Sequence, residues 1–202
     1  RNDLVSFAGS FTDPGTGDTH TIVWDFGDGS GAADTLTPTH VYPTEGVYTV
    51  TLNVTDKDLG FGSDTLLVTV LNRVPECSLA APSITTLWPA DHSLIPVSVL
   101  NVTDPEGDVV TITITSVWQD EPVNGTGDGA ASPDAVGVGS STVNMRAERA
   151  GNGNGRYYHV NFTATDGHGG SCSGVLLVSV PQNQGSNGAA VDDGALFDSS
   201  LP

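Results

Sequence analysis

The sequence predicts an all-β protein built from two antiparallel β-sandwiches in tandem, followed by an extended C-terminal tail. Its 202 residues suit two domains of roughly 100 residues, each large enough to bury a core. Twenty-five glycines and twelve prolines disfavour helices. Apolar and polar side chains alternate repeatedly, which is the period of a strand with one face in water. Together these observations predict antiparallel sheets that pack face to face.

The predicted strands share an inward row of apolar side chains. They cover residues 22–26, 47–55 and 66–70 in the first half, and 110–115, 158–165 and 176–180 in the second. The glycine-rich residues 151–155 are expected to close a hairpin between a strand around Met145 and the strand at 158–165.

Each half ends in the same way, with a strand that runs into an aspartate, a glycine-bearing turn and a last apolar strand. The two aspartates are Asp56 and Asp166. This repetition places the domain boundary near residues 72–75 and predicts domains at 1–72 and 73–181. Residues 182–202 then form a Gly/Asn/Ser linker and a tail.

The charge of the chain is strongly acidic, with 24 Asp and Glu against 6 Lys and Arg and a formal net charge of −18. A field of this sign repels nucleic acid and anionic membranes, so neither is an expected partner. It favours solubility outside the cell or the binding of cations, and the charge alone supports both. No apolar run approaches the roughly 20 residues that span a bilayer. Because the chain does not begin with Met, we expect a processed product or an excised fragment.

The two cysteines, Cys77 and Cys172, stand about 95 residues apart at the ends of the second domain. They predict a disulfide and hence an oxidising compartment, with two buried free thiols as the alternative. A closed loop of this size contributes about 4–5 kcal/mol in the chain-entropy model. The sequence contains no CxxC pair, so it does not predict a zinc site of that kind.

Three linked motifs in the first half resemble the polycystic-kidney-disease (PKD) domain. They are Val23-Trp-Asp-Phe-Gly-Asp-Gly29, His40-Val-Tyr42 and the run from Gly46 to Asp56. The resemblance covers about residues 1–71 and implies a small immunoglobulin-like sandwich of an extracellular protein, with Trp24 in its core. PKD domains begin with a further strand, whereas residues 1–8 here already resemble the second strand. The first strand is therefore missing or comes from elsewhere.

The second half is similar to the HYR-type immunoglobulin-like domains of secreted bacterial proteins, over about residues 74–181. The matching pieces are Cys77 with Ala81-Pro-Ser83, Leu87-Trp-Pro89 with His92, residues 120–134, Met145-Arg-Ala-Glu-Arg149, Gly153-Asn-Gly-Arg156 and Thr163-Ala-Thr-Asp166. Neither family implies an enzyme, and both imply modules that space, stiffen or adhere.

Acidic side chains gather on the predicted loops, and carboxylate oxygens are ligands that Ca²⁺ prefers. In the second domain Asp104, Glu106 and Asp108 share one short loop. Four further acidic residues lie on or beside the long polar loop at 124–139: Asp120, Glu121, Asp128 and Asp134. Glu148 and Asp166 are candidates to join either group from neighbouring strands. Candidates in the first domain lie near strand ends: Asp25, Asp28 and Asp56.

The alternative for any one of these aspartates is that it caps its own turn. Ordering so acidic a loop without a cation would nevertheless be costly, so we expect at least one bound calcium ion, in the second domain.

Catalytic motifs are absent from the sequence, which has no GxSxG, HExxH or phosphate-binding loop. None of the five histidines stands beside a plausible zinc ligand: His20, His40, His92, His159 and His168. We therefore expect no enzyme.

Two further groups of residues are candidates for surface roles. Trp88 and Trp118 are candidates for stacking on sugars, with packing against the protein the favoured alternative for Trp88. The glycosylation candidates are the four sequons: Asn53, Asn101, Asn124 and Asn161.

The tail at residues 189–202 carries short apolar pieces with Val191, Leu196 and Phe197. A sandwich that lacks a strand has an open sheet edge, which invites an added strand. We therefore predict a calcium-stabilised extracellular or cell-surface structural protein, in which the tail of one copy completes the first domain of the next in a head-to-tail filament. One alternative is a tail folded back on its own second domain. Another is a carbohydrate-binding or spacer module of a larger secreted enzyme or adhesin.

Overall fold

The computed structural model describes residues 1–15, 17–129, 131–185 and 188–202. These residues form two compact units, Arg1–Arg73 and Val74–Pro202. Strands, turns and irregular segments account for the described parts of both units, and no helix occurs among them. The predicted all-β fold class is confirmed. None of the described residues belongs to a helix that is long and apolar enough to cross a membrane.

The described residues of the first unit form six strands in two sheets. They are β1 (Leu4–Ser6), β2 (His20–Asp25), β3 (Gly31–Ala33), β4 (Thr39–Val41), β5 (Gly46–Asp56) and β6 (Phe61–Val70). β1 pairs with β4, and the larger sheet has the order β3-β2-β5-β6. The core between them is aromatic and includes Phe7, Trp24, Phe26 and Tyr42. Trp24 is 3% exposed and its indole N–H donates to the Thr35 carbonyl over 2.9 Å, as the predicted core position requires.

In the second unit, the part of the chain that the structure describes forms eight strands in two sheets. They are β7 (Ala81–Pro82), β8 (Leu94–Leu100), β9 (Thr111–Gln119), β10 (Ala135–Val136), β11 (Thr142–Arg146), β12 (Arg156–Thr165), β13 (Ser171–Val180) and β14 (Phe197–Asp198). The sheet orders are β10-β11-β8-β7 and β13-β12-β9-β14. The inward rows of β9, β12 and β13 fill the core with side chains such as Ile114, Phe162 and Val178.

The predicted hairpin at residues 151–155 is wrong. β11 pairs with β8 and β10, whereas β12 pairs with β9 and β13, so these two strands belong to different sheets. Residues 147–155 carry the chain between the sheets instead of turning it back. Ala147 and Glu148 are buried on this crossover, which therefore forms part of the interior.

The disulfide between Cys77 and Cys172 is present, with 5.9 Å between the two Cα atoms. It joins the start of the second unit to β13. The predicted disulfide is thereby confirmed, and the alternative of two free thiols is excluded.

Candidate metal sites and a buried ion-pair cluster

The loop after β8 brings together the acidic group that the sequence predicted there. Asp104 Oδ1 accepts the backbone N–H groups of Glu106 over 2.8 Å and Asp108 over 3.3 Å, so it fixes the turn. Gly107 has φ of 83°, a left-handed conformation that glycine adopts without strain. One ligand oxygen from each of Asp104, Glu106 and Asp108 lies within 4.8 Å of the others.

The second oxygen of Asp104 distinguishes this loop from an ordinary capped turn. Oδ2 is shielded from solvent and has no hydrogen-bond partner, although its sister oxygen makes two bonds. A buried carboxylate oxygen without a partner is costly. Three carboxylates at this spacing form a donor set of the kind that Ca²⁺ accepts.

The acidic residues around the long loop are arranged differently, because they surround an arginine. Arg156 is fully buried and lies on β12. Its NH1 group donates to Asp134 Oδ2 over 2.7 Å, and its Nε group donates to Glu121 Oε2 over 3.3 Å. A third carboxylate, on Asp128, forms a 3.9 Å ion pair with NH2. We call Arg156, Glu121, Asp128 and Asp134, with Arg146 and Glu148, the buried charge cluster.

Arg146 supplies the second cation of the buried charge cluster. Its Nε atom lies 3.5 Å from Asp134 Oδ1 and 3.9 Å from Glu148 Oε2. The other Glu148 contact is His92, whose Nδ1 lies 3.0 Å from Oε2. Burial raises the pKa of Asp134 and of Glu148, because the ionised carboxyl loses its hydration.

No three acidic members of the buried charge cluster, among the described residues, place ligand oxygens within 4.8 Å of one another. Guanidinium groups of the same chain thus contact the carboxylates of this acidic loop. Calcium binding by these residues stays a prediction. Sequence reasoning missed the role of Arg156 in these contacts. Strand alternation nevertheless places Arg156 on the same inward face as Tyr158 and Val160.

The remaining predicted ligands of the second unit, Asp120 and Asp166, accept hydrogen bonds from backbone N–H groups. Asp120 Oδ1 accepts the backbone N–H of Tyr157 over 2.9 Å, and burial raises the pKa of Asp120. Asp166 Oδ1 accepts the backbone N–H groups of His168 and Gly170, over 2.7 and 3.0 Å. The Asp166 contacts follow the alternative that the sequence left open, in which an aspartate caps its own turn. Asp120 instead binds a backbone N–H of the distant strand β12.

The predicted ligands of the first unit do not come together. Asp25 and Asp56 lie at opposite ends of the β2–β5 pair, since Asp25 stands opposite Thr51 and Asp56 opposite His20. Asp25 Oδ1 caps the turn by accepting the Gly27 N–H over 2.8 Å.

Asp56 instead shares its end of the sheet with two aspartates that the sequence reasoning did not select. Ligand oxygens of Asp13, Asp18 and Asp56 lie within 4.8 Å of one another. Two basic groups already contact them: Lys57 Nζ lies 2.8 Å from Asp18, and His20 Nε2 lies 2.7 Å from Asp13. The pairing of β2 with β5 brings this group together, so no local sequence pattern predicts it.

The sequons lie on strands and loops of both units. Asn53 and Asn161 are half-buried on β5 and β12, and Asn161 Nδ2 donates to Ser116 Oγ over 3.1 Å. Asn101 and Asn124 are exposed. Glycosylation of these four residues stays a prediction.

The tail lies on its own second unit, the alternative placement that the sequence left open. β14 pairs with β9, and the Leu196 N–H donates to the Gln119 carbonyl over 3.0 Å. The side chains of Val191, Leu196 and Phe197 remain exposed, so the backbone holds the tail in place.

Comparison with known proteins identifies the first unit. Residues 1–70 match the PKD domain family, which confirms the resemblance seen in the motifs. A 47-residue segment is 51% identical to part of a microbial collagenase from Vibrio alginolyticus. The aligned segment is 23% of this chain and 6% of the collagenase, so the similarity is confined to a small part of that protein. The resemblance of residues 74–181 to HYR-type domains stays a prediction.

Proposed function

We propose that this chain is a non-catalytic accessory region of a longer secreted protein, in which two β-sandwiches space or anchor other parts. The observation that carries the proposal is the match of residues 1–70 to the PKD domain family. The similarity to a collagenase also supports it. The similar segment is 6% of that collagenase, so in that protein it is a small part of a much longer chain. The disulfide supports an extracellular location.

The filament that the sequence analysis predicted requires a free donor strand. In this structure the tail strand β14 already pairs with β9 of its own unit, so donation would first cost those contacts. This placement favours an accessory region over a subunit of a homopolymer.

Light scattering coupled to size exclusion tests this choice on the full chain. We expect a monomer of 20.7 kDa with and without Ca²⁺. Fibres or a ladder of oligomers that disappear when residues 189–202 are deleted would contradict the accessory role and favour the filament.

Calcium at the Asp104 loop is the second part of the proposal. The donor oxygens of Asp104, Glu106 and Asp108 support it, together with the buried Oδ2 of Asp104. Bound Ca²⁺ would fix this loop and stabilise the second unit, as any ligand of the folded state does.

Asp104→Asn is the direct test of calcium binding, because asparagine keeps the Oδ1 acceptor of the turn and loses the charge. In the wild type we expect Ca²⁺ to raise the free energy of unfolding by about 2.7 kcal/mol at one hundred times Kd. Titration calorimetry of D104N should show this binding strongly reduced. Asp91→Asn is the matched control, since Asp91 caps Ser93 in a similar turn. Equal calcium binding by D104N and wild type would exclude the site.

A further inference from the structure

One face of the β13-β12-β9-β14 sheet is turned away from the core of the second unit. The opposite face carries the buried row with Val117, Val160 and Leu176. On the outer face, Trp118 is 36% exposed, and Leu177 and Val175 are 44% and 54% exposed. An aromatic ring and two aliphatic side chains therefore remain in water on one sheet surface.

The strand register arranges these side chains in two rows. In the first row Asp198 stands opposite Trp118, Trp118 opposite His159, and His159 opposite Leu177. In the next row Ser116 stands opposite Asn161, and Asn161 opposite Val175.

Residues with hydrogen-bonding side chains therefore occupy the strand positions next to Trp118. Asn161 and Ser116 bond each other across β12 and β9. In the row of Trp118, the side chain of His159 also has a polar partner, because Asp192 Oδ1 lies 2.8 Å from His159 Nε2. We call Trp118, Ser116, Asn161, Val175 and Leu177, with the rim residues His159, Asp192 and Asp198, the tryptophan face.

Charge decides which partner suits the tryptophan face. Carboxylates of Asp192 and Asp198 stand at its rim, and the chain carries a net charge of −18. This field repels a second copy of the chain and any polyanion. A neutral polymer meets no such repulsion, and carboxylate, amide and hydroxyl groups supply acceptors and donors for its hydroxyls.

We propose that the tryptophan face binds a neutral polysaccharide, with a sugar ring stacked on Trp118. The indole offers a flat apolar surface to the C–H face of a pyranose, and the neighbouring polar groups accept or donate to its hydroxyls. The inference rests on the proposed accessory function, because it names what such a region would anchor to.

Affinity electrophoresis and pull-down of the full chain test the proposal with cellulose, chitin, xylan and a neutral β-glucan as probes. We expect retention on at least one of them, insensitive to salt, and a loss of about tenfold or more in affinity for Trp118→Ala. Phe61→Ala is the matched control, because it removes an exposed aromatic side chain from the first unit. Leu177→Asp removes an exposed aliphatic side chain from the same face while keeping the indole, and the lost apolar contact should weaken retention too.

Two outcomes overturn the proposal: no retention on any of the polysaccharide probes, or unchanged retention of W118A. A monomer that shows no retention leaves the spacer role intact. Fibre formation in the light-scattering experiment is a separate result, and it would contradict the proposed accessory function itself.

Discussion

Arg156 shows how a single side chain organises the second unit. It is fully buried against Asp134 and Glu121, and its NH1 group also donates to the Tyr158 hydroxyl over 3.2 Å. A buried carboxylate without a cation would have to take up a proton or remain uncompensated. The guanidinium therefore allows the acidic residues of the long loop to enter the interior.

Replacing this arginine should be severely destabilising. We expect Arg156→Gln to lower the free energy of unfolding by about 3–5 kcal/mol, because it leaves buried carboxylates without their cation. Urea denaturation measures the change. Arg73→Gln is the control, because the Arg73–Asp3 pair is largely exposed and such pairs contribute about 0–1 kcal/mol. Equal costs for R156Q and R73Q would refute the structural role of the buried charge cluster.

Asp28 gives the first unit a predictable response to acid. Hydrogen bonds from Ser30 and the contact with His40 lower its pKa from 3.8 to about 2, against the opposing effect of burial. Because the folded pKa lies below the unfolded value, this carboxylate stabilises the fold above pH 3.8. That stabilisation is lost as the pH falls towards 2.

Asp28→Asn should remove this component of the pH dependence. The difference in unfolding free energy between wild type and D28N is expected to be largest above pH 4 and to shrink towards pH 2. Guanidinium denaturation at a series of pH values measures it. A difference that stays constant over this window would show that the Asp28 charge does not stabilise the fold.

At the scale of elements, the tail behaves as an integral strand of the second unit. The Ser199 N–H donates to the Val117 carbonyl over 2.9 Å, and the Ser199 carbonyl accepts the Ala135 N–H over 2.8 Å. Ser199 is therefore buried between β9 and β10, which belong to different sheets. Short extended pieces like β14 carry little periodicity, so the sequence alone predicts neither their pairing nor their partner.

Deleting residues 189–202 should destabilise the second unit without altering assembly. Loss of the backbone bonds at Leu196 and Ser199 is expected to cost about 2–3 kcal/mol, at roughly 1 kcal/mol for each bond. Denaturation and hydrogen exchange at β9 measure the effect. Deletion of the exposed residues 200–202 is the control and should change little. Unchanged protection of β9 in the longer deletion would contradict the pairing.

At the scale of the whole molecule, each unit has a core of its own. A cluster rich in aromatic side chains around Trp24 fills the first unit, and a mainly aliphatic cluster around Ile114 fills the second. Both cysteines of the disulfide belong to the second unit. The covalent constraint therefore acts on the unfolded state of that unit alone.

Removing the disulfide should weaken one unit selectively. For the double variant Cys77→Ala and Cys172→Ala we expect the second unit to lose about 4–5 kcal/mol of stability. Hydrogen exchange with peptide-level mass spectrometry should show faster opening in residues 74–202. Residues 1–73 should keep their protection. Equal loss in both units would show that they unfold together.

The sequence by itself determined the fold class, the longer strands, the disulfide and the acidic loop at Asp104, Glu106 and Asp108. Each depends on local periodicity, on a turn of a few residues, or on the pairing of two cysteines. The inward parity of Tyr158 and Val160 already implies a buried Arg156, although not its partners.

Only the tertiary structure decided which distant groups meet. Strand order and sheet packing determine three such arrangements. They bring Asp13 and Asp18 close to Asp56, they place the carboxylates around Arg156, and they position the tail. Strand alternation fixes the face on which a side chain lies, but it carries no information about which strand becomes its neighbour. Long-range pairing therefore set the charge clusters of this protein, while local pattern set its strands.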